Sequence, residues 1–331
     1  MHGSRLKISI ITPAGAGTRN GNRNTATRWG GFLRAMGHRV VLEQHWGGAP
    51  ADVMIALHAR RSYDSISRYA RTFPARPLVV ALTGTDLYRD IHSDRDSQHS
   101  LELATRLVVL QDRGPQALPR GLRAKTRVVY QSARTIARPD PLTSRFEVVV
   151  SGHLRAEKDP FRAAAALALL PADSRIRLIH IGRAMTPRMQ AEAEAYMARE
   201  PRYRWLGEHP HWRALRLLGR SRLMVISSKM EGGANVVSEA LALGVPVIAS
   251  RVPGNVGMLG RDYPGYYPVG NERALAKLLS RAESDGAYYH GLERYCATRA
   301  QLVTAEHERA ALKALLAELT LRSPLPSRNT A

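Results

Sequence analysis

The sequence predicts an α/β protein of two doubly wound, Rossmann-like domains facing a central cleft. Three observations predict it. Short β-rich apolar runs alternate with helical patterns of roughly 10–15 residues, the signature of a parallel sheet covered on both faces. The alternation stops at a Pro-bearing stretch, residues 132–145, and then starts again. At 331 residues the chain is long for one core and comfortable for two. The expected domains are 1–138 and 146–304. An amphipathic helix, 305–320, is expected to pack back on the first domain, and 321–331 to form a flexible tail.

In the first half, "LKISIIT" (6–12) reads as a strand rather than a signal peptide, because it is short and ends at Pro13. A Gly/Asn/Arg loop follows, then a helical pattern from Thr25 to Met36 that stops at Gly37. "RVVLEQ" and "DVMIALH" are strands, "SYDSISRYARTF" a helix, "PLVVALTG" a strand, and "SLELATRLVVLQ" a helix running into a strand. The second half repeats the rhythm through "FEVVVSGHL", "PFRAAAALALL", "RIRLIHIG", "PRMQAEAEAYMARE", "YRWLG", "HWRALRLLG", "RLMVISS", "ANVVSEALAL" and "VPVIAS".

Composition narrows the function. The apolar share of 44% is that of a soluble globular chain, and no run approaches membrane-span length. A single cysteine, Cys296, excludes an internal disulfide and any cysteine-rich metal site, and fits a cytoplasmic location. The formal charge of +21 favours anionic partners, although arginine-rich solvated surfaces account for it equally well. Aromatic residues are sparse at 6% and form no stacking platform, so nucleic acid is not favoured.

The sharpest local signal is "KMEGGANVVSEAL", which follows the strand "RLMVISS". Gly232, Gly233 and the amides of Ala234 and Asn235 open a helix, and helix starts bind anions. Two carboxylates, Glu231 and Glu239, flank that start. Ionised carboxylates only accept hydrogen bonds, so they suit hydroxyl donors. At 1.5 Å per residue Glu239 lies about 7–8 Å along the axis from Ala234, roughly one sugar ring away. Phosphates on the amides and hydroxyls on the acids describe a nucleotide-sugar.

This region resembles the signature of the retaining family 4 glycosyltransferases of the GT-B fold. "SGHLRAEKDP", "YRWLGEHP", "DVMIALHARRS" and "LTGTDLYRD" accompany it. The resemblance implies that Glu239 holds the donor ribose, Glu231 the transferred sugar, and Lys158 the diphosphate. The family's phosphate-binding arginine, five residues before that lysine, is His153 here, so Arg155 is expected to supply the cation. Where many relatives carry histidine in "LTGTD", this chain has Thr83. An acceptor that is already an anion needs no base.

Across residues 6–320 the pattern, including "RVPGNVG" and "DYPGYYPVG", resembles the selenosugar synthases of selenoneine biosynthesis. That resemblance implies transfer of the hexosyl group of UDP-N-acetylglucosamine or UDP-glucose to selenophosphate, with neither metal nor cofactor. The acceptor side is expected to draw on Gly17, Arg19, Asn20, Asn22, Arg23 and Arg28, and on Arg60, Arg61 and Thr83. His58 and Asp86, both near first-domain strand ends, are candidates for activating the water that cleaves the phosphorus–selenium bond, with a core or loop-capping role as the favoured alternative for each.

The residues also admit rival readings. An alcohol acceptor would make the chain a conventional family 4 transferase. "GAGTRNG" with Glu43 approaches a dinucleotide fingerprint and an NAD-dependent oxidoreductase. The charge admits a basic nucleic-acid binder. Asp94-Arg95-Asp96 has the shape of a metal motif, yet three residues in a polar loop read as no metal site.

Overall fold

The computed structural model describes residues 5–15 and 21–322. The chain divides into two compact units, one comprising the chain to Gln131 together with the segment from Glu306, the other Ser132–Ala305. The break falls at 131/132 rather than at 138. The reason is local, since the Ala133 amide donates to the Val303 carbonyl and ties that residue to the second unit.

The first unit holds six parallel strands: β1 (Lys7–Ile11), β2 (Arg39–Glu43), β3 (Val53–Leu57), β4 (Leu78–Leu82), β5 (Arg106–Val109) and β6 (Thr126–Val128), in the order β2-β1-β3-β4-β5-β6. Alternate side chains supply opposite faces. Ile8, Ile10, Ile55 and Val79 pack with Trp29 and Leu33, whereas Met54, Ala56, Val80 and Leu107 pack with Ile66, Tyr69 and Leu101. Both faces are thus covered, which is why these strands read as continuous apolar runs.

The helix Gly21–Ala35 ends where Gly37 takes φ +93°, with the Gly37 amide on Arg34 and the His38 amide on Leu33. A left-handed residue satisfies the last carbonyls in this way, and glycine adopts it without a Cβ penalty.

The last helix, Ala305–Arg322, belongs to the first unit and extends past residue 320. Leu312, Leu315, Leu316 and Leu319 enter the same cluster as Ile8 and Trp29. Fully buried Glu308 accepts from Arg28 at 2.7 Å and from the Trp29 indole at 2.7 Å. Glu318 bonds Arg127 and Arg106, and those guanidiniums hold its carboxyl down at about 2.

The second unit also holds six parallel strands: β7 (Phe146–Ser151), β8 (Ile176–Ile181), β9 (Tyr203–Trp205), β10 (Leu223–Ile226), β11 (Val247–Ser250) and β12 (Tyr266–Tyr267). Their order, β12-β11-β10-β7-β8-β9, reverses direction between β7 and β10. Among the described residues no helix is long and apolar enough to cross a membrane.

Candidate active site

In doubly wound sheets the crevice lies beyond the carboxyl ends of the strands, where the strand order reverses. In the second unit this is the loop after β7 and the loop after β10. The first carries His153, Arg155 and Lys158; the second carries Ser227, Ser228 and Glu231.

The two loops are bonded to each other. The Ser227 hydroxyl donates to the carbonyls of Lys158 (3.0 Å) and Asp159 (2.9 Å), and the Lys229 amide donates to Glu157. Held this way, the Lys158 ammonium forms an ion pair with Glu231 Oε1, and the Ser228 hydroxyl donates to the same oxygen at 2.5 Å. Glu231 is only 8% exposed and Lys158 is half-buried, so the pair is partly screened from water. Gly254 lets the next helix, Pro253–Leu259, close against this loop, because a Cβ there would lie 1.9 Å from the Glu231 carbonyl oxygen. Ser250 donates to the Ser228 carbonyl at 2.6 Å, and the Asn255 side-chain amide donates to Ser250.

Behind the β7 loop, fully buried His180 bridges the Tyr203 hydroxyl (3.1 Å) and the Gly152 carbonyl (3.2 Å). A carbonyl only accepts, so Nε2 carries the proton and Nδ1 accepts from Tyr203. Burial pushes this imidazole down to about 4 and keeps it neutral. His153 Nδ1 accepts from the Arg183 amide at 3.1 Å, and Arg155 is exposed at the head of the turn Ala156–Lys158.

Gly232 and Gly233 lead to Ala234, which caps the helix Asn235–Ala242. Glu239 lies on that helix and accepts from His211 Nε2 at 2.9 Å. His211 opens the helix His211–Arg220, and the bond to Glu239 raises its pKa. The structure therefore gathers Lys158, Glu231 and the glycine pair at one switch point and adds Ser227, Ser228, Gly254 and His211. The sequence signal for the serines is their position directly after the last apolar residue of a buried strand.

In the first unit the order reverses between β1 and β3. Gly17, Arg19 and Asn20 lie outside the described residues. Asn22 and Arg23 are in the first turn of the helix Gly21–Ala35. Arg60 is exposed and pairs with Asp94 (3.3 Å) and Asp90 (3.8 Å); Arg61 is exposed beside it. Thr83 is half-buried at the end of β4. Arg28, seven residues into its helix, turns to Glu308 instead of joining these groups.

His58 and Asp86 take the loop-fastening role that the sequence offers as the alternative to water activation. Asp86 is fully buried, and its carboxylate accepts from the amides of Thr83 (2.9 Å), Gly84 (2.8 Å) and Ala59 (3.1 Å). His58 is 3% exposed; its Nδ1 accepts from the Arg61 amide and its Nε2 bonds Thr85. Burial lowers its pKa, opposed in part by Asp86. Both groups are thus engaged by the protein's own backbone and by Thr85. Together they fasten the β3 and β4 loops, holding His58 itself at φ +74°. Asp94 likewise serves as a helix cap, accepting from the Ser97 amide at 2.8 Å, and Glu43 accepts from Ser9.

These two units, with a basic and acidic pair at the second switch point, define an α/β protein of two Rossmann-like halves with a site suited to a ligand that carries both phosphates and hydroxyls. The family model described as "Glycosyl transferases group 1" matches residues 134–301, just over half of the chain, and the protein belongs to that family. Among solved structures it is similar to HepE of Anabaena in complex with UDP and glucose, at 17% identity and a TM-score of 0.74, covering 95% of this chain and 100% of that one. Sucrose-phosphate synthase of Thermosynechococcus elongatus matches at 17% identity and 0.77, over 96% and 100%. A glycosyltransferase of Rickettsia africae matches at 13% and 0.71, over 98% and 100%. At these identities the likeness establishes the fold, which is GT-B. The oxidoreductase reading gives way to the family assignment.

Proposed function

We propose that the protein is a UDP-sugar-dependent glycosyltransferase that joins the selenium of selenophosphate to the anomeric carbon of UDP-N-acetylglucosamine or UDP-glucose. The observation that carries the donor half is the meeting of Lys158 and Glu231 at the β7/β10 switch point, beside a glycine-led helix start. The HepE structures hold UDP and UDP-glucose, which supports a uridine donor for this chain.

Lys158 and Glu231 form an ion pair with each other. A bound diphosphate would draw the ammonium to itself, with Arg155, His153 and the amides around Gly233 as further donors. Glu231 would then accept from hydroxyls of the sugar, and Gly232, Ala234 and Asn235 would line the same start. Glu239 would accept from the ribose, its carboxylate oriented by His211.

The acceptor half rests on the sequence resemblance, on Thr83 in place of a histidine, and on the arginines near β3. A selenium lone pair forms the C1–Se bond while the C1–O bond breaks and UDP leaves with that electron pair. Water then attacks phosphorus, the P–Se bond breaks, and phosphate and a selenosugar are released. The protein's tasks are to orient the two reactants and to stabilise charge on the departing diphosphate.

The test is UDP release from each donor, with selenophosphate or with a panel of sugar alcohols as acceptor. Release that depends on selenophosphate is expected. Release that depends only on an alcohol would make this a conventional transferase.

A further inference from the structure

The second unit has another basic concavity, at the amino ends of its strands and so at the opposite edge of the sheet from Lys158. Phe146 opens β7, Arg175 immediately precedes β8 and Arg222 immediately precedes β10. With Arg145 and the junction of the helices Glu272–Ser284 and Gly286–Ala300 they bound a cavity of about 120 Å³. That is several times the roughly 10–15 Å³ that one water needs.

Charge in this cavity is unbalanced. Among the described residues that line it, Arg145, Arg175 and Arg222 are cationic and Glu283 is the one carboxylate. Glu283 is already committed to the Ser174 hydroxyl at 2.7 Å and the Arg175 amide at 2.6 Å. Arg145 bonds Glu147 at 2.8 Å, but that buried carboxylate also serves Arg220 at 2.8 Å, so two guanidiniums share one negative charge. The Arg222 guanidinium lies 5.1 Å from the Tyr289 ring centroid and 5.6 Å from that of Phe146. Its Nε–H is buried and has no acceptor among the described residues. A buried donor of this kind is an unfilled demand for an acceptor.

We propose that this cavity binds a small tetrahedral oxyanion of the phosphate class, held by Arg145, Arg175 and Arg222. Guanidinium forks match pairs of phosphate oxygens, and the neighbouring rings fix the Arg222 plane. Inorganic phosphate and the phosphate end of a monoester share this recognition.

The experiment is thermal unfolding of the full chain against inorganic phosphate, at ionic strength held constant with chloride. The protein carries Lys158→Ala, which weakens the donor-side anion site, and the arginine substitutions attribute the remaining response to this cavity. A saturable rise in Tm is expected. Arg175→Gln and Arg222→Gln, each added separately, should weaken the apparent affinity by about tenfold, the loss of one charge-assisted bond. Arg175 is exposed and its amide to Glu283 survives substitution, so this variant keeps the test open if Arg222→Gln fails to fold.

A response equal to that with inorganic phosphate when glucose 1-phosphate is the probe assigns the site to monoesters, and a response to inorganic phosphate alone assigns it to the free ion. No saturable response, or one unchanged by both arginine substitutions, overturns the proposal. Failure of the donor reading would appear separately, as absence of UDP binding to the unmutated chain.

Discussion

His211 Nε2 lies 2.9 Å from Glu239 Oε1, joining the first turn of one helix to the middle of the next. The Glu239 bond raises the His211 pKa above 6.5, opposed by burial and by the Arg134 charge. A raised folded-state pKa stabilises the fold fully below 6.5, and that contribution is lost as pH rises through the raised value. The Tm gap between wild type and His211→Gln is therefore expected to be widest in acid and to close in mild alkali. Because His211 is 54% exposed, the gap should correspond to no more than about 1 kcal/mol. Unfolding curves across a pH series check this.

The Lys158–Glu231 pair separates binding from folding. Lys158→Ala is expected to weaken UDP binding by about 1.5–3 kcal/mol, roughly 10- to 150-fold, the worth of a hydrogen bond to a charged group. It should also lower Tm, since among the described residues it leaves the mostly buried Glu231 carboxylate with the Ser228 hydroxyl. Glu231→Gln should retain UDP affinity within a few-fold and lose turnover, because its expected partner is the sugar. Calorimetric titration of UDP against each variant distinguishes the two roles.

Gly254 is a steric determinant of the same loop. In Gly254→Ala the methyl would meet the Glu231 carbonyl at 1.9 Å, and the backbone cannot yield without moving Glu231. A loss of about 1–3 kcal/mol of stability and of most activity is expected. Gly291→Ala, in the helix Gly286–Ala300 with open space at its Cβ, should instead stabilise by about 0.5–1 kcal/mol. Chemical denaturation of both variants gives the contrast.

His180 makes a prediction of opposite pH sense. Burial holds this group down at about 4, against an ordinary 6.5. The unfolded chain therefore binds a proton between those values that the folded chain does not. Wild type should lose stability on the order of 3 kcal/mol as pH falls through that window. His180→Gln, which can still bridge Tyr203 and Gly152, should lack this component. Urea midpoints at pH 7 and pH 4.5 are sufficient.

The strands and the donor motif were legible because both are written in contiguous residues. Short runs rich in β-branched residues give β1, β3, β4, β8 and β10 within two residues and β7 within three. The helix Pro253–Leu259 was not read, because Pro253, Gly254 and Gly257 look like a loop. Its proline sits in the first turn, where a missing N–H costs nothing. β12 has two residues and no periodicity to detect. Glu231 and Glu239 were found from local spacing, but their partners were not. Lys158 to Glu231 spans 73 residues and His211 to Glu239 spans 28, distances only the sheet order closes. Arg28 and Asp86 carry the opposite lesson. Residue type suggested chemistry, and burial against Glu308 and three amides assigned structure.

The most direct test is mass spectrometry of the purified protein with UDP-N-acetylglucosamine or UDP-glucose and freshly made selenophosphate. The account predicts a hexose product bearing the selenium isotope pattern, one UDP released per product, and neither when Lys158 is replaced by Ala. UDP-sugar binding with turnover onto alcohols and no selenium-bearing product would contradict it.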